Sequence, residues 1–264
     1  MRIPARRRMR LFPYWVVLLV CSGGPNAQAA DSRIPLTPEI RKKVALLGEG
    51  VVGDPLPARA IKDPARLYHL RAGTWQYRMT YGTDLGKLQT VTVERVAGSD
   101  PGSTWKLEVG HKDIQQLRVT LQHEVEKLSQ VDLASERLVV YRPALVLTPG
   151  IRPGETKSVK THVTSYRTDS PDEREYKGLL DYQTTYVGAY RVNTPAGSFD
   201  ARLLIHRYDM SIGPATVEYE SLAFYADEVG KVAEVVSEKV RALFVYRRTS
   251  EAAKVLFKVP VFAR

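Results

Sequence analysis

One cysteine, Cys21, is all the thiol chemistry this chain of 264 residues has. A single thiol closes no intramolecular disulfide, and beyond residue 21 there is no thiolate metal ligand and no cysteine nucleophile. Long apolar runs are missing too. The longest, Leu11–Val20, falls well short of the roughly 20 residues that span a bilayer as a helix. There is no Gly-x-Ser-x-Gly elbow, no phosphate-binding glycine loop and no dinucleotide fingerprint. These absences argue against α/β-hydrolase, P-loop and Rossmann chemistry.

The first thirty residues carry a clear pattern. Arg2, Arg6, Arg7, Arg8 and Arg10 form a basic head without an acidic residue, the apolar run follows, and Ala27-Gln28-Ala29-Ala30 is a small-residue cleavage site. This is the anatomy of a secretory signal peptide, so the chain is expected to be exported, into a bacterial periplasm. Arg7-Arg8 lacks the hydrophobic pair of a twin-arginine signal. Cys21 sits where a lipoprotein would be lipidated, yet Val20 stands where that signal has a small residue. Release after Ala29 or Ala30 is therefore the expectation, with lipid anchoring at Cys21 the alternative.

The net charge of +10 shrinks with the leader, whose five arginines are half of that excess. The remaining charges are interspersed, which gives no nucleic-acid footprint. A solvated face is the plain reading; attraction to an anionic membrane surface or polysaccharide is the sharper one.

Residues 31–66 read as an N-terminal arm. Thr37-Pro38-Glu39 starts a short helix, Ile40, Val44, Leu46 and Leu47 give it one apolar face, and Gly48 ends it. Gly53–Pro57 reads as irregular linker. Residues 67–264 then show the period of two that marks half-buried strands. Trp75, Tyr77, Met79 and Tyr81 alternate with polar residues; Gly82–Gly86 is a hairpin loop. Further strands are expected at 91–93, 105–109, 117–125, 137–141 (stopped before Pro143), 159–163 and 180–186, with a polar loop at 168–173. Beyond it Phe199, Ala201, Leu203 and Ile205 form an apolar phase against Asp200, Arg202, Leu204 and His206. No helices separate the strands, so the fold class is all-β: an antiparallel meander forming an open or closed barrel, with a short N-terminal helical arm.

Fourteen tyrosines are a heavy aromatic load. Core and cross-strand packing account for most strand aromatics. Trp75, Tyr77, Tyr182, Tyr186, Tyr219 and Tyr225 are also the candidate lining of a concave sheet that holds an acyl chain or stacks on sugar rings. The histidines, His69, His111, His123, His162 and His206, show no metal-ligand spacing with Cys, His or carboxylates. On a strand His123 and Glu124 face opposite sides, and His206 falls on the polar phase beside Arg202 and Tyr208. Asp181, Asp200, Asp209, Glu218 and Glu220 lie near strand ends. Glu218 and Glu220 share a face at about 7 Å, a spacing open to acid–base chemistry but far more common on a solvated surface.

Two stretches carry a family resemblance. Tyr190-Arg-Val-Asn-Thr-Pro-Ala-Gly-Ser-Phe-Asp-Ala-Arg-Leu203 and Leu222-Ala-Phe-Tyr-Ala-Asp-Glu-Val-Gly-Lys-Val232 resemble paired turn motifs of bacterial exported β proteins of domain-of-unknown-function family 3108. The resemblance covers about residues 145–240. Phe224 stands where that family often has Trp, and Asp227 replaces a common Pro. It implies an exported β fold in which Gly197 and Gly230 take positive φ, Pro195 fixes φ, and Phe199 and Tyr225 anchor strands. It implies no catalytic residue, and the family has no settled activity.

The expectation is an exported, non-enzymatic envelope protein without cofactor or metal, binding a lipid, a polysaccharide or an envelope protein, and no nucleic acid. An enzyme with a site assembled across strands, such as a hydrolase using His123, His206 or Glu218, and an outer-membrane β-barrel are the alternatives. No membrane-spanning helix is expected in the mature chain.

Overall fold

The computed structural model describes residues 33–98, 102–243 and 246–262. The leader, its cleavage site and Cys21 lie outside them. Helix α1, Pro38–Val44, begins as its sequence dictates: Thr37 Oγ1 accepts from the Ile40 N–H at 3.3 Å and proline occupies the first turn. A 3-10 turn, Ala45–Leu47, follows and ends before Gly48, which stands at φ +116°.

The next segment departs from expectation. Residues Val52–Leu56 form a strand, β1, rather than an irregular linker. Gly53 and Pro55 hide its period, and proline is tolerated because β1 pairs on one side only. A second helix, α2, Pro64–Tyr68, is capped by Asp63, whose Oδ1 accepts from the Arg66 N–H at 3.1 Å; His69 closes it at φ +47°. Five residues are too few to show a helical period.

Twelve strands follow: β2 Gly73–Tyr81, β3 Leu88–Val96, β4 Ser103–Val109, β5 Asp113–Val119, β6 Val125–Asp132, β7 Arg137–Leu147, β8 Thr156–Arg167, β9 Ser170–Thr194, β10 Gly197–Ile212, β11 Ala215–Ala226, β12 Gly230–Ala242 and β13 Tyr246–Phe262. Each pairs antiparallel with the next, and β13 returns to pair with β2, closing the meander into a barrel. The long strand β9 serves two partners on one edge. Its first part pairs with β8, through Thr185, and its last part, Ala189–Val192, with β1.

Several boundaries correct the sequence reading. The stretch expected as one strand at 117–125 is the end of β5, a turn and the start of β6, with His123 at φ +61° in the turn. Strand β7 continues through Pro143, which sits where the β6–β7 register shifts and its missing N–H breaks no ladder bond. Residues 170–173, expected as loop, already belong to β9.

The inner and outer faces can be assigned strand by strand. On β10, Leu204, His206, Tyr208, Met210 and Ile212 share the inward face with Leu117, Val125, Tyr141, Val163, Leu180 and Tyr182 of one apolar cluster and Tyr186 and Ala223 of another. Leu203 and Ile205, on the apolar phase read from sequence, point outward. There Leu203, Ile205, Leu222, Phe224 and Val235 pack under Val44 and Leu47 of the arm. The barrel wall in this region is therefore apolar on both faces, with the arm as its outer layer.

Candidate functional site

The inner wall brings together side chains from distant sequence positions. Register across β9, β10 and β11 places Thr184 beside His206 beside Ser221, and one row further along Tyr182 beside Tyr208 beside Tyr219, with Glu238 next on β12. The three tyrosines form a continuous stack. Ring centroids of Tyr182 and Tyr208 are 6.3 Å apart at 20°, and those of Tyr208 and Tyr219 are 4.6 Å apart at 11°. The opposite wall supplies Gln115 and Gln130, a cross-strand pair, with Lys127 and Tyr141. Lys127 Nζ donates to Gln130 Oε1 at 2.5 Å and lies 5.2 Å from the Tyr141 ring centre. Burial pulls the Lys127 ammonium down to about 8.

His206 is held neutral. Its Nδ1 lies 2.9 Å from Tyr182 Oη and 3.1 Å from Thr184 Oγ1, and its Nε2 3.3 Å from Tyr68 Oη. Thr184 Oγ1 gives its own proton to the Val146 carbonyl at 2.7 Å. It can therefore only accept from Nδ1–H, which leaves Nε2 to accept from Tyr68. This assigns the tautomer from the network. Burial pushes the His206 pKa down to about 3, with Lys231 adding to the shift.

Towards the α2 end sits a buried ion cluster. Glu234 Oε1 accepts from Ser221 Oγ at 2.9 Å and Lys231 Nζ at 2.6 Å, while Oε2 lies 3.2 Å from Lys254 Nζ. Burial opposes ionisation of Glu234, but the two ammonium groups outweigh it and hold the carboxyl well below the usual range. Lys254 also donates to Gln89 Oε1 at 2.8 Å, and Tyr77 Oη to the Lys231 carbonyl at 3.0 Å. A buried charge needs such partners to be tolerated.

Exposure runs along the barrel axis. At the α2 end Ile61, Leu67, Leu147, Ile151, Tyr186 and Leu204 are fully buried and close the interior. From the tyrosine stack onwards the inward residues Tyr208, Tyr219, Lys127, Gln115, Gln130 and Glu238 keep partial solvent access, and at the far rim Asp132 and Arg248 are exposed. The interior is thus filled at the α2 end, while on the rim side partial access is confined to residues of β5, β6, β11 and β12 and to Tyr208, with Leu180, Met210 and Ile212 still buried. Glu238, half-way up, has its carboxyl pushed up by burial, with Arg248 opposing. Oδ1 of Asp113 is buried without a hydrogen-bond partner among the described residues.

The six aromatics named from sequence all lie on the inward face, but not in one place. Tyr182, itself buried, and the partly exposed Tyr219 belong to the tyrosine stack. Tyr77 sits in the ion cluster. Trp75 Nε1 donates to the Val229 carbonyl at 2.9 Å, Tyr186 is wholly buried, and Tyr225 stacks on Tyr68 at 4.7 Å; these three pack the closed part. Sequence reasoning missed Tyr68, Tyr141, Tyr208, Lys127, Glu234 and Lys254. The signal for Tyr208 was present, since it stands two residues from His206 on the same phase. His123 lies 3.8 Å from Asp63 in an exposed turn, away from the interior. Glu218 pairs with Lys239 at 3.4 Å and Arg241 at 3.2 Å, Glu220 with Arg207 at 2.6 Å and with Lys43, Asp181 with Lys160 and Asp200 with Arg191. Glu218 and Glu220 both point outward, Glu218 solvated and Glu220 largely covered between Lys43 and Arg207, and neither has a histidine as an ion-pair partner.

Among the described residues no group of three or more His, Asp or Glu is arranged to hold a metal ion, and no helix is long and apolar enough to cross a membrane. No protein-family model and no curated protein matches the chain. Two solved structures do. One, described as an exported protein with a YmcC-like fold from Bacteroides fragilis, is 13% identical, with 76% of this chain and 99% of that chain covered, at a TM-score of 0.43. The other, described as a lipoprotein from Parabacteroides distasonis, is 8% identical over the same shares, at a TM-score of 0.34. The strand pairing of the chain itself carries the fold assignment: an all-β, closed antiparallel barrel with a short helix in its N-terminal arm.

Proposed function

We propose that this chain is an exported, non-enzymatic binding protein that takes a hydroxyl-rich ligand, a glycan, into the open half of the barrel. The observation that carries the reading is the stack Tyr182–Tyr208–Tyr219 on the inward face, in which Tyr208 and Tyr219 keep partial solvent access. A sugar ring offers C–H faces to stack on tyrosine and hydroxyls to pair with Gln115, Gln130, Lys127 and Glu238. An acyl chain would offer no partner to Asp113 Oδ1, which is buried without one among the described residues, at a cost. Export rests on the leader at residues 1–30. A non-enzymatic role is supported by His206, whose ring nitrogens are both engaged and which burial keeps neutral. The outward faces of β10–β12, with the Arg207–Glu220 and Glu218–Lys239 ion pairs, are unlike the apolar band of a lipid-embedded barrel. Kinship with family 3108 is part of the same proposal, supported by positive φ at Gly197 and Gly230 in the two resembling turns.

The test is native mass spectrometry of protein purified without detergent, with added neutral and acidic oligosaccharides and, separately, fatty acids. A glycan adduct is expected, weakened about two- to tenfold by each of Tyr208→Ala and Tyr219→Ala, since one aromatic contact contributes about 0.5–1.5 kcal/mol. Fatty-acid adducts alone, or glycan binding indifferent to both substitutions, would overturn the reading.

A further inference from the structure

The barrel closes through β13 and β2, yet one stretch of its wall keeps an edge. Strand β7 runs beside β8 as far as the pair Arg142–His162 and then leaves it. Further on, the Val146 carbonyl accepts from Thr184 Oγ1, an inward side chain of β9, at 2.7 Å. The end of β7 therefore passes beneath the inner face of β8 instead of lying next to it. Among the described residues no strand flanks Thr156–Lys160 of β8 on that side.

The phase of the β8–β9 ladder says which main-chain groups are left over. Gly154 N–H donates to the Tyr186 carbonyl at 2.6 Å, and Tyr186 N–H to the Glu155 carbonyl at 3.0 Å. Alternation from there gives the bonds with β9 to Lys157, Val159 and Thr161. Thr156, Ser158 and Lys160 turn N–H and C=O the other way, and all three residues are exposed. The usual guards against edge pairing are weak here. Strand β1, which pairs on one side only, carries Pro55, whereas Thr156–Lys160 has no proline. Its two lysines are tied to neighbours, Lys157 to Glu155 at 2.5 Å and Lys160 to Asp181 at 3.2 Å.

This edge is complementary to itself. Turned antiparallel about Ser158, it sets Ser158 against Ser158, Thr156 against Lys160 and Lys157 against Val159. No like charges are opposed, and each outward-turned N–H meets a C=O of the copy. The second strand also takes up the direction that β7 abandons at Pro143. That brings Glu155 of the copy towards Arg142, which is exposed and forms no ion pair among the described residues. We propose that two copies of this chain join edge to edge, β8 against β8, in a two-fold dimer whose sheets are continuous across the axis. The proposal stands on main-chain geometry and does not depend on what the interior binds.

The test is sedimentation velocity of the full chain carrying Cys21→Ser, without detergent, from micromolar to millimolar concentration. A reversible monomer–dimer equilibrium is expected, since the ladder is short. Ser158→Pro removes an N–H turned away from β9, so circular dichroism should be unchanged while dimerisation weakens roughly tenfold or more, main-chain bonds being lost on both sides of the axis. A cross-link reads the register independently of the proline variant. In the Cys21→Ser background Ser158→Cys faces its own copy at about 5.5 Å between Cα atoms, within disulfide reach, and should oxidise to a covalent dimer. Thr156→Cys, displaced from the axis, should not. A monomer at every concentration, whatever other protein it captures, or a dimer indifferent to Ser158→Pro, or equal cross-linking at both positions, would overturn the proposal.

Discussion

At the scale of single residues, the interior holds side chains in protonation states they would not choose in water. His206 makes the clearest case. Unfolded, it has a pKa of about 6.5; folded, burial takes it to about 3. Between these values only the unfolded chain binds the proton, so stability is complete above the unfolded pKa and is lost as pH falls towards the folded one. The expected slope is about 1.4 kcal/mol per pH unit below pH 6.5. Urea denaturation at pH 7 and pH 5 reads it, and His206→Gln should flatten it; an unchanged slope would mean that the ring is solvated. Glu234 behaves differently. Its folded pKa is depressed, so its contribution is present above the ordinary carboxylate range and disappears only at more acid pH. Replacing it, Glu234→Gln, leaves Lys231 and Lys254 facing each other in the interior, and a loss of about 3–5 kcal/mol is expected in the same denaturation assay. None of this was legible in the sequence, because Glu234, Lys254 and His206 meet only through the register of four strands.

At the scale of elements, the arm is an outer layer of the barrel wall. Leu47 is fully buried against strands whose inward faces line the interior. Leu47→Ala should cost about 2–5 kcal/mol, as for other buried leucines, seen as a lower urea midpoint. A change below about 0.5 kcal/mol would mean that the arm is not packed there. Close approach of backbones sets a second constraint. A Cβ on Gly178 would come within 2.2 Å of the Ser211 carbonyl across the β9–β10 ladder. Gly178→Ala must therefore spread these strands, at about 1–3 kcal/mol. The elements also show which local signals suffice. Thr37, Pro38 and Gly48 bracket α1 by capping chemistry, and alternation marks β2, β10 and β11, so these were readable. Alternation does not say which phase is inside when both faces of a strand are covered, which is why His206 was read on a polar phase although it is buried on the inward face, while the apolar phase of Leu203 and Ile205 is buried under the arm. The strand β1 was hidden by Gly53 and Pro55.

At the scale of the whole molecule, closure joins β2, near the start of the barrel, to β13 at its end. A pairing so distant along the chain forms late, since loop closure must precede it. The meander order was readable, because turn signals recur and no helices intervene. Whether it closed was not, because the β13–β2 contact leaves no mark on either strand. Closure makes an inside, and the division of that inside into a packed half and an accessible half is what the functional proposal requires. Its accessibility can be measured chemically, since the sequence has only Cys21 to remove. Val217 lies on the inward face, one row nearer the rim than Tyr219, and Thr216 points outward beside it. In a Cys21→Ser background, Val217→Cys should react with a water-soluble methanethiosulfonate reagent in the folded protein, as Thr216→Cys does. Reaction of Val217→Cys only after denaturant has unfolded the barrel would contradict an open interior.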